Sequence, residues 1–311
     1  SQLGPELIEQ ALELEEIDLN LYRSVRLWKP ITGRGTFGGQ VIAQATWAAT
    51  QTVDRKYHLH SLHAYFIAFG DSGGRIVYLV ERLRDGKSYC TRSVSAIQHG
   101  RTIFTMTCSF QTPEPLQPTH QYSMPTQPNT DKPFPPPEEC QSDEARAQKF
   151  IDDNPQVSEK MKSWYQRGIQ ERKLSSIEIR RAGPERTNDL SEEKTSSRAN
   201  WFRSRAKVRN DPAFQKCVLA YASDFAFIGT AAQALGLSPR KVPRMGMLAS
   251  LDHSMYFYDD AVDASEWLLY HMECPVATDG RAVVQGRIYT QQGRLAVVVT
   301  QEGVVRAQAE Q

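Results

Sequence analysis

Residues 250–258 read Ser-Leu-Asp-His-Ser-Met-Tyr-Phe-Tyr, with polar and apolar side chains alternating at period two. That spacing predicts a strand with Ser250, Asp252 and Ser254 on one face and Leu251, His253, Met255 and Phe257 on the other. Upstream, His60-Ser61-Leu62-His63-Ala64-Tyr65-Phe66 ends in the same Tyr-Phe pair, at an offset of 257 − 66 = 191. Gly100 recurs as Gly293, 293 − 100 = 193. A period near 190 far exceeds the roughly 20 to 50 residues of stacked repeats, so the pattern predicts one fold written twice.

The other elements fit that plan. Leu7, Ile8, Ala11 and Leu14 lie at helical spacing within residues 4–15, and a strand is expected over 20–28. Residues 39–52 carry apolar and small side chains around most of a helical circumference, as suits a helix wrapped by a sheet. Strands over 58–69, 75–83, 88–98 and 101–111 follow, separated by Gly-rich hairpin signals. Nine prolines between 112 and 137 predict a linker or surface strap, because each removes a ladder donor. Residues 142–173 read as helical, anchored by Phe150, Ile151, Met161, Trp164 and Tyr165; 176–180 reads as a strand and 184–198 as a mobile polar loop. The second copy is expected to hold a strand over 200–208, an apolar helix over 225–235 opened by Asp224, and strands over 245–258, 267–273, 282–290 and 294–305. The units are a first domain at 1–112, a linker with helical segment at 113–174 and a second domain at 175–311, their two sheets pairing edge to edge.

Composition narrows the partners. With 37 basic and 36 acidic side chains in 311 residues, nothing recommends a nucleic-acid or anionic-membrane partner. Five widely spaced cysteines without a Cys-x-x-Cys argue against a disulfide framework or zinc site and for a reducing compartment. No run approaches the roughly 18 apolar residues of a membrane span, so a soluble intracellular protein without membrane insertion is expected.

Three polar residues of the second copy break the apolar pattern. Asp224 stands at the mouth of an apolar helix, Ser250 opens the strand, and Gln301 ends the run 296–300. At the matching positions of the first copy stand Leu59 (250 − 191) and Cys108 (301 − 193), which predicts one working site per chain. Each has a plainer reading: Asp224 as a helix cap, Ser250 as a strand-end hydrogen-bonding group and Gln301 as a rim residue; His253 is a tempting catalyst, but on an apolar face with Leu251 and Met255 it reads as a satisfied core histidine. Asp252-His253-Ser254 holds triad residue types, but adjacent strand positions face opposite ways. Residues 33–38 match G-x-G-x-x-G, yet the preceding segment contains Pro30 and the acidic Asp54 precedes the next strand, so a dinucleotide fold is not supported.

Taken together, Phe37-Gly38-Gly39-Gln40, Tyr221-Ala222-Ser223-Asp224, Leu251-Asp252-His253-Ser254-Met255 and Gln301-Glu302-Gly303-Val304 resemble the type II acyl-CoA thioesterases, which include a peroxisomal enzyme of animals and fungi and a bacterial counterpart. The resemblance runs from about Leu12 to Arg306 and is lowest at 113–197. It implies an α+β double hotdog fold, hydrolysis of fatty acyl-CoA without a cofactor or metal, a homo-oligomer, and a peroxisomal matrix location, with the cytoplasm as the alternative; no peroxisomal tripeptide is seen at 309–311. By position it places the catalytic aspartate, hydroxyl residue and glutamine on Asp224, Ser250 and Gln301. Those residue types suit direct attack by an aimed water, since a thioester already carries a good leaving group. The rival expectations are a non-catalytic acyl-CoA carrier, for which Asp224 would have no use, and a hotdog-type enoyl-CoA hydratase, which would require a His-Asp pair.

Overall fold

The computed structural model describes residues 7–31, 33–183, 194–237 and 243–308. The first half comprises α1 (Ile8–Ala11), β1 (Leu14–Asp18), β2 (Leu21–Ser24), α2 (Gly38–Thr50), β3 (His58–Phe66), β4 (Val77–Asp85), β5 (Tyr89–Gln98) and β6 (Arg101–Gln111). A strap and the helices α3 (Asp143–Asp153) and α4 (Glu159–Leu174) lead to β7 (Ile177–Arg181) and β8 (Ser197–Ser204). The second half continues with α5 (Pro212–Ser223), α6 (Gly229–Ala234), β9 (Met245–Ser250), β10 (Asp252–Phe257), β11 (Leu268–Thr278), β12 (Arg281–Thr290) and β13 (Leu295–Ala307). All strands join one sheet in the order β1-β2-β4-β5-β6-β3-β10-β13-β12-β11-β8-β7, with β9 also paired to β13.

The two halves meet at β3 and β10, which are antiparallel with Ser254 opposite His63. The offset 254 − 63 = 191 makes these the same position of the duplicated unit, so an approximate twofold axis passes between them. Inside the sheet α2 and α5 lie antiparallel, Trp47 meeting Phe214 at 5.2 Å and Gly39 abutting the Tyr221 carbonyl. Both helices are buried on nearly every side, which explains the small apolar residues around their circumference. The buried polar groups of α2 are satisfied: Gln40 and Gln44 donate to the Ala11 carbonyl, and Tyr78 donates to Gln44.

Several expectations need correction. The N-terminal helix is a single turn, because residues 14–18 turn outward to pair with β2. The helix expected at 225–235 starts instead at Pro212, where Asp211 accepts the Ala213 N–H and Pro212 fills the first helical position. Asp224 therefore ends α5 and does not cap a helix start; Ala226, at φ +59°, turns the chain before the short α6. Of the loop expected at 184–198, Ser197 and Arg198 belong to β8, and 184–193 lie outside the described residues. The proline-rich segment is a strap: Phe134 packs with Trp201 and Trp267 on the outer face of the second half's strands, and Trp201 donates to the Pro135 carbonyl at 2.8 Å.

Candidate active site

The strand expected at 250–258 is broken once, with chemical consequences. Ser250 lies opposite Gly303, whereas Ser254 lies opposite Thr300, so one extra residue enters between them while β13 stays regular. The bulge is fixed by Leu251 N–H donating to the Glu302 carbonyl and by Asp252 Oδ1 accepting the Glu302 N–H. Directly paired residues share a face, as do alternate residues of one strand. Ser250 is thus turned to the side of Gly303, Gln301 and Val299, together with His253 and Met255, and not to the Asp252–Ser254 face predicted from strict alternation. The first half has the same bulge in β3, with Leu59 opposite Phe110 and Ser61 opposite Ser109.

Gln301 sits within β13, not at its end, and is fully buried, which rules out a rim role. Its Nε2 lies 3.0 Å from Asp224 Oδ1 and 3.0 Å from His253 Nδ1. A carboxylate requires a donor facing it, so the amide nitrogen is the group directed at Asp224 and both its protons are used. His253 Nδ1 is then an acceptor, and its Nε2–H donates to Ser223 Oγ at 2.9 Å, which donates to the Ala220 carbonyl at 2.8 Å. Burial holds the His253 pKa down at about 3, so the ring is neutral, as this chain of bonds requires. Gln301 Oε1 is buried with no hydrogen-bond partner among the described residues.

Asp224 projects from the end of α5 toward the start of α2, where it accepts the Gly39 N–H. Burial raises its pKa from the ordinary 3.8 to about 6, opposed by the bonds from Gln301 and Gly39. Gly38 and Gly39 are dictated by this approach: a Cβ on Gly38 would lie 2.7 Å from Asp224 Oδ2, and one on Gly39 would overlap the Tyr221 carbonyl oxygen. The first-turn N–H of Gly38 has no acceptor within its own helix. Asp224, Ser250 and Gly38 line one cavity of about 290 Å³, otherwise walled mainly by apolar groups such as Phe66, Ile103, Phe104 and Met247. The site is therefore built from both halves. Gly38 and Gly39 entered the sequence reading only within motifs such as Phe37–Gln40, and His253 as a core histidine; the bulge that brings His253 and Ser250 to one side has no signature in residue type.

The twofold-related position is disarmed. There the end of α2 meets the start of α5, with Leu59 and Phe110 in place of Ser250 and Gly303, and Cys108 in place of Gln301. Pro212 lacks the N–H, Asp211 caps the helix from within, and the Lys216 ammonium binds the Leu59 carbonyl and Asp260.

Comparison with known proteins gives consistent matches. The model described as the acyl-CoA thioesterase N-terminal domain matches residues 25–111, and that of the acyl-CoA thioesterase C-terminal domain matches residues 137–305. The chain is 39% identical over 302 residues to acyl-coenzyme A thioesterase 8 of Rattus norvegicus, covering 97% of this chain and 89% of the relative. It is 35% identical over 297 residues to acyl-CoA thioesterase 2 of Haemophilus influenzae, covering 95% of each. Among solved structures, the acyl-CoA thioesterase II TesB2 of Mycobacterium marinum superimposes with a TM-score of 0.72 at 35% identity, over 98% of both chains.

Proposed function

The chain belongs to the acyl-CoA thioesterase family, with the double hotdog fold, and from that premise we propose that Asp224, Ser250 and Gln301 hold the water with which it hydrolyses fatty acyl-CoA to free acid and CoA. The observation that carries this reading is the Asp224 carboxylate, buried in an apolar cavity and bonded to Gln301. A pKa of about 6 leaves Asp224 ionised at neutral pH yet basic enough to accept a proton from water. Ser250, which lines the cavity, aims that water, and Gln301 acts by holding the Asp224 carboxylate in place; such positioning is worth up to about 7 to 11 kcal/mol. The Gly38 N–H, at the positive end of α2, is the donor for the developing oxyanion; one such donor contributes roughly 3 kcal/mol. The thiolate departs without a strong acid, and no acyl-enzyme forms. The reaction needs no cofactor or metal.

The apolar cavity walls receive the acyl chain, consistent with a fatty acyl substrate. No histidine lines the cavity among the described residues, and His253 is engaged by Gln301 and Ser223, so a hydratase His-Asp pair is not supported. The test is thiol release from palmitoyl- or octanoyl-CoA by the intact chain and by Asp224→Asn: release lost in the variant supports the reading, equal release overturns it, and binding without release in either identifies a carrier. Self-association and a peroxisomal location are also part of this reading, resting on the family resemblance; light scattering and imaging of a tagged full-length chain check them. Among the described residues no helix is long and apolar enough to cross a membrane.

A further inference from the structure

A second concavity, of about 750 Å³, lies between α4 and the segment 28–31 and is unlike the catalytic cavity in character. Its lining carries the cations Arg26, Lys29 and Arg167 and the half-buried ring of Trp28. Among its described lining residues Glu171 is the only acid, and the Glu171 carboxylate already accepts the Ile31 N–H at 2.7 Å. Neither Arg26 nor Arg167 has an ion pair among the described residues. Three cations against one acid around an aromatic ring suit a ligand with a planar base and phosphate groups.

The groove adjoins the candidate active site. The Trp28 carbonyl accepts the Phe37 N–H at 2.9 Å, and the two rings meet edge-on at 5.2 Å. Phe37 is followed by Gly38, which lines the catalytic cavity, and Tyr221 lines the groove while its carbonyl abuts Gly39. A cluster of packed rings, Trp28, Phe37, Tyr221 and Phe225, thus links the cationic groove to the residues flanking Gly38 and Asp224. An acyl-CoA has the matching polarity: an apolar tail, a thioester, and a nucleotide end carrying three phosphates.

We propose that the groove formed by Arg26, Trp28, Lys29 and Arg167 binds the adenosine 3′,5′-bisphosphate end of the CoA thioester, with Trp28 against the base and the cations on the phosphates. This rests on the thioesterase reading and extends it to residues outside the hydrolytic centre. Part of the site comes from α4.

The test compares the full chain with Arg26→Ala/Arg167→Ala on two substrates, octanoyl-CoA and octanoyl-pantetheine, which lacks the nucleotide. The double variant should raise KM for octanoyl-CoA about tenfold or more, as loss of two exposed charge contacts implies, with kcat unchanged. KM for octanoyl-pantetheine should stay at the wild-type value, which also shows that the variant is folded. In parallel, calorimetry with adenosine 3′,5′-bisphosphate should show binding to the wild type and weakened binding to the variant. An unchanged KM for octanoyl-CoA, a parallel rise for both substrates, or a wild type that does not bind the nucleotide overturns the proposal. If the wild type releases thiol from neither substrate, the thioesterase reading has failed instead, and the calorimetric comparison alone judges the groove.

Discussion

Gln301 Nε2 lies 3.0 Å from Asp224 Oδ1 and holds a carboxylate that burial would otherwise drive toward protonation. The raised pKa of about 6 gives activity a defined acid limb: kcat/KM should rise with pH through about 6 and level off above it, as the free enzyme's base ionises. A rate profile that is flat between pH 5 and 7 would exclude Asp224 as the base.

The same shift is a stability statement. The folded pKa lies above the unfolded value, so the native state is favoured below about pH 4 and loses that contribution as pH rises through about 6. Asp224→Asn should therefore unfold at higher denaturant than wild type at pH 7.5, by up to about 3 kcal/mol, and the gain should shrink by pH 4.5. The variant should lose about 10²–10⁴-fold in kcat.

His253 orients Gln301 without touching the cavity. His253→Phe removes the acceptor for one Gln301 N–H, leaving that buried donor unpaired at a cost of about 1–3 kcal/mol, while Ser223 keeps its bond to the Ala220 carbonyl. Steady-state kinetics should show kcat falling about tenfold with KM little changed. Ser223→Ala should move both quantities in the same direction by less. Gln301→Ala should cost more in kcat than either, about 10²-fold.

The two glycines at the start of α2 should respond differently. In Gly39→Ala the new methyl meets a backbone carbonyl, which cannot yield unless α2 and α5 separate, so stability should fall by about 1–3 kcal/mol. In Gly38→Ala it meets the Asp224 carboxylate, so kcat should fall about tenfold or more while the unfolding midpoint stays close to wild type.

Ser250 should behave as a water-aiming group and not as a nucleophile. Ser250→Ala should reduce kcat by about 10–10²-fold, and Ser250→Thr should keep most of it. Intact-mass analysis during turnover should find no acylated chain; a covalent adduct on Ser250 would rule out direct attack.

The duplication was legible because its register is written in residue types: Met255 opposite Val299 and Ala64 opposite Met106 obey both offsets, 255 − 191 = 64 and 299 − 193 = 106. Asp224 and Gln301 stood out as polar residues beside apolar runs and Ser250 because its counterpart Leu59 is apolar, and the structure brings Asp224 and Gln301 into contact and Ser250 into the same cavity as Asp224. The start of α5 was misread because Ser223-Asp224 before an apolar run imitates an N-cap, while the real cap at Asp211 precedes a proline. The bulge at Leu251, the orienting role of His253 and the contribution of Gly38 and Gly39 were hidden for a common reason. Each depends on what lies across the sheet or between the halves, which local periodicity does not encode.

His63 and Ser254, the same position in the two copies, share a hydrogen bond at 3.0 Å across the junction. An edge that meets its own equivalent is self-complementary, so a single copy of the unit could join an identical copy in the same way and form an isologous dimer with two equivalent clefts. Within one polypeptide the two copies are separate stretches of sequence, so the clefts can differ: one holds an acid, an alcohol and a carboxamide, and the other has Leu59 and Cys108 at the positions of the last two, with the Lys216 ammonium on the Leu59 carbonyl.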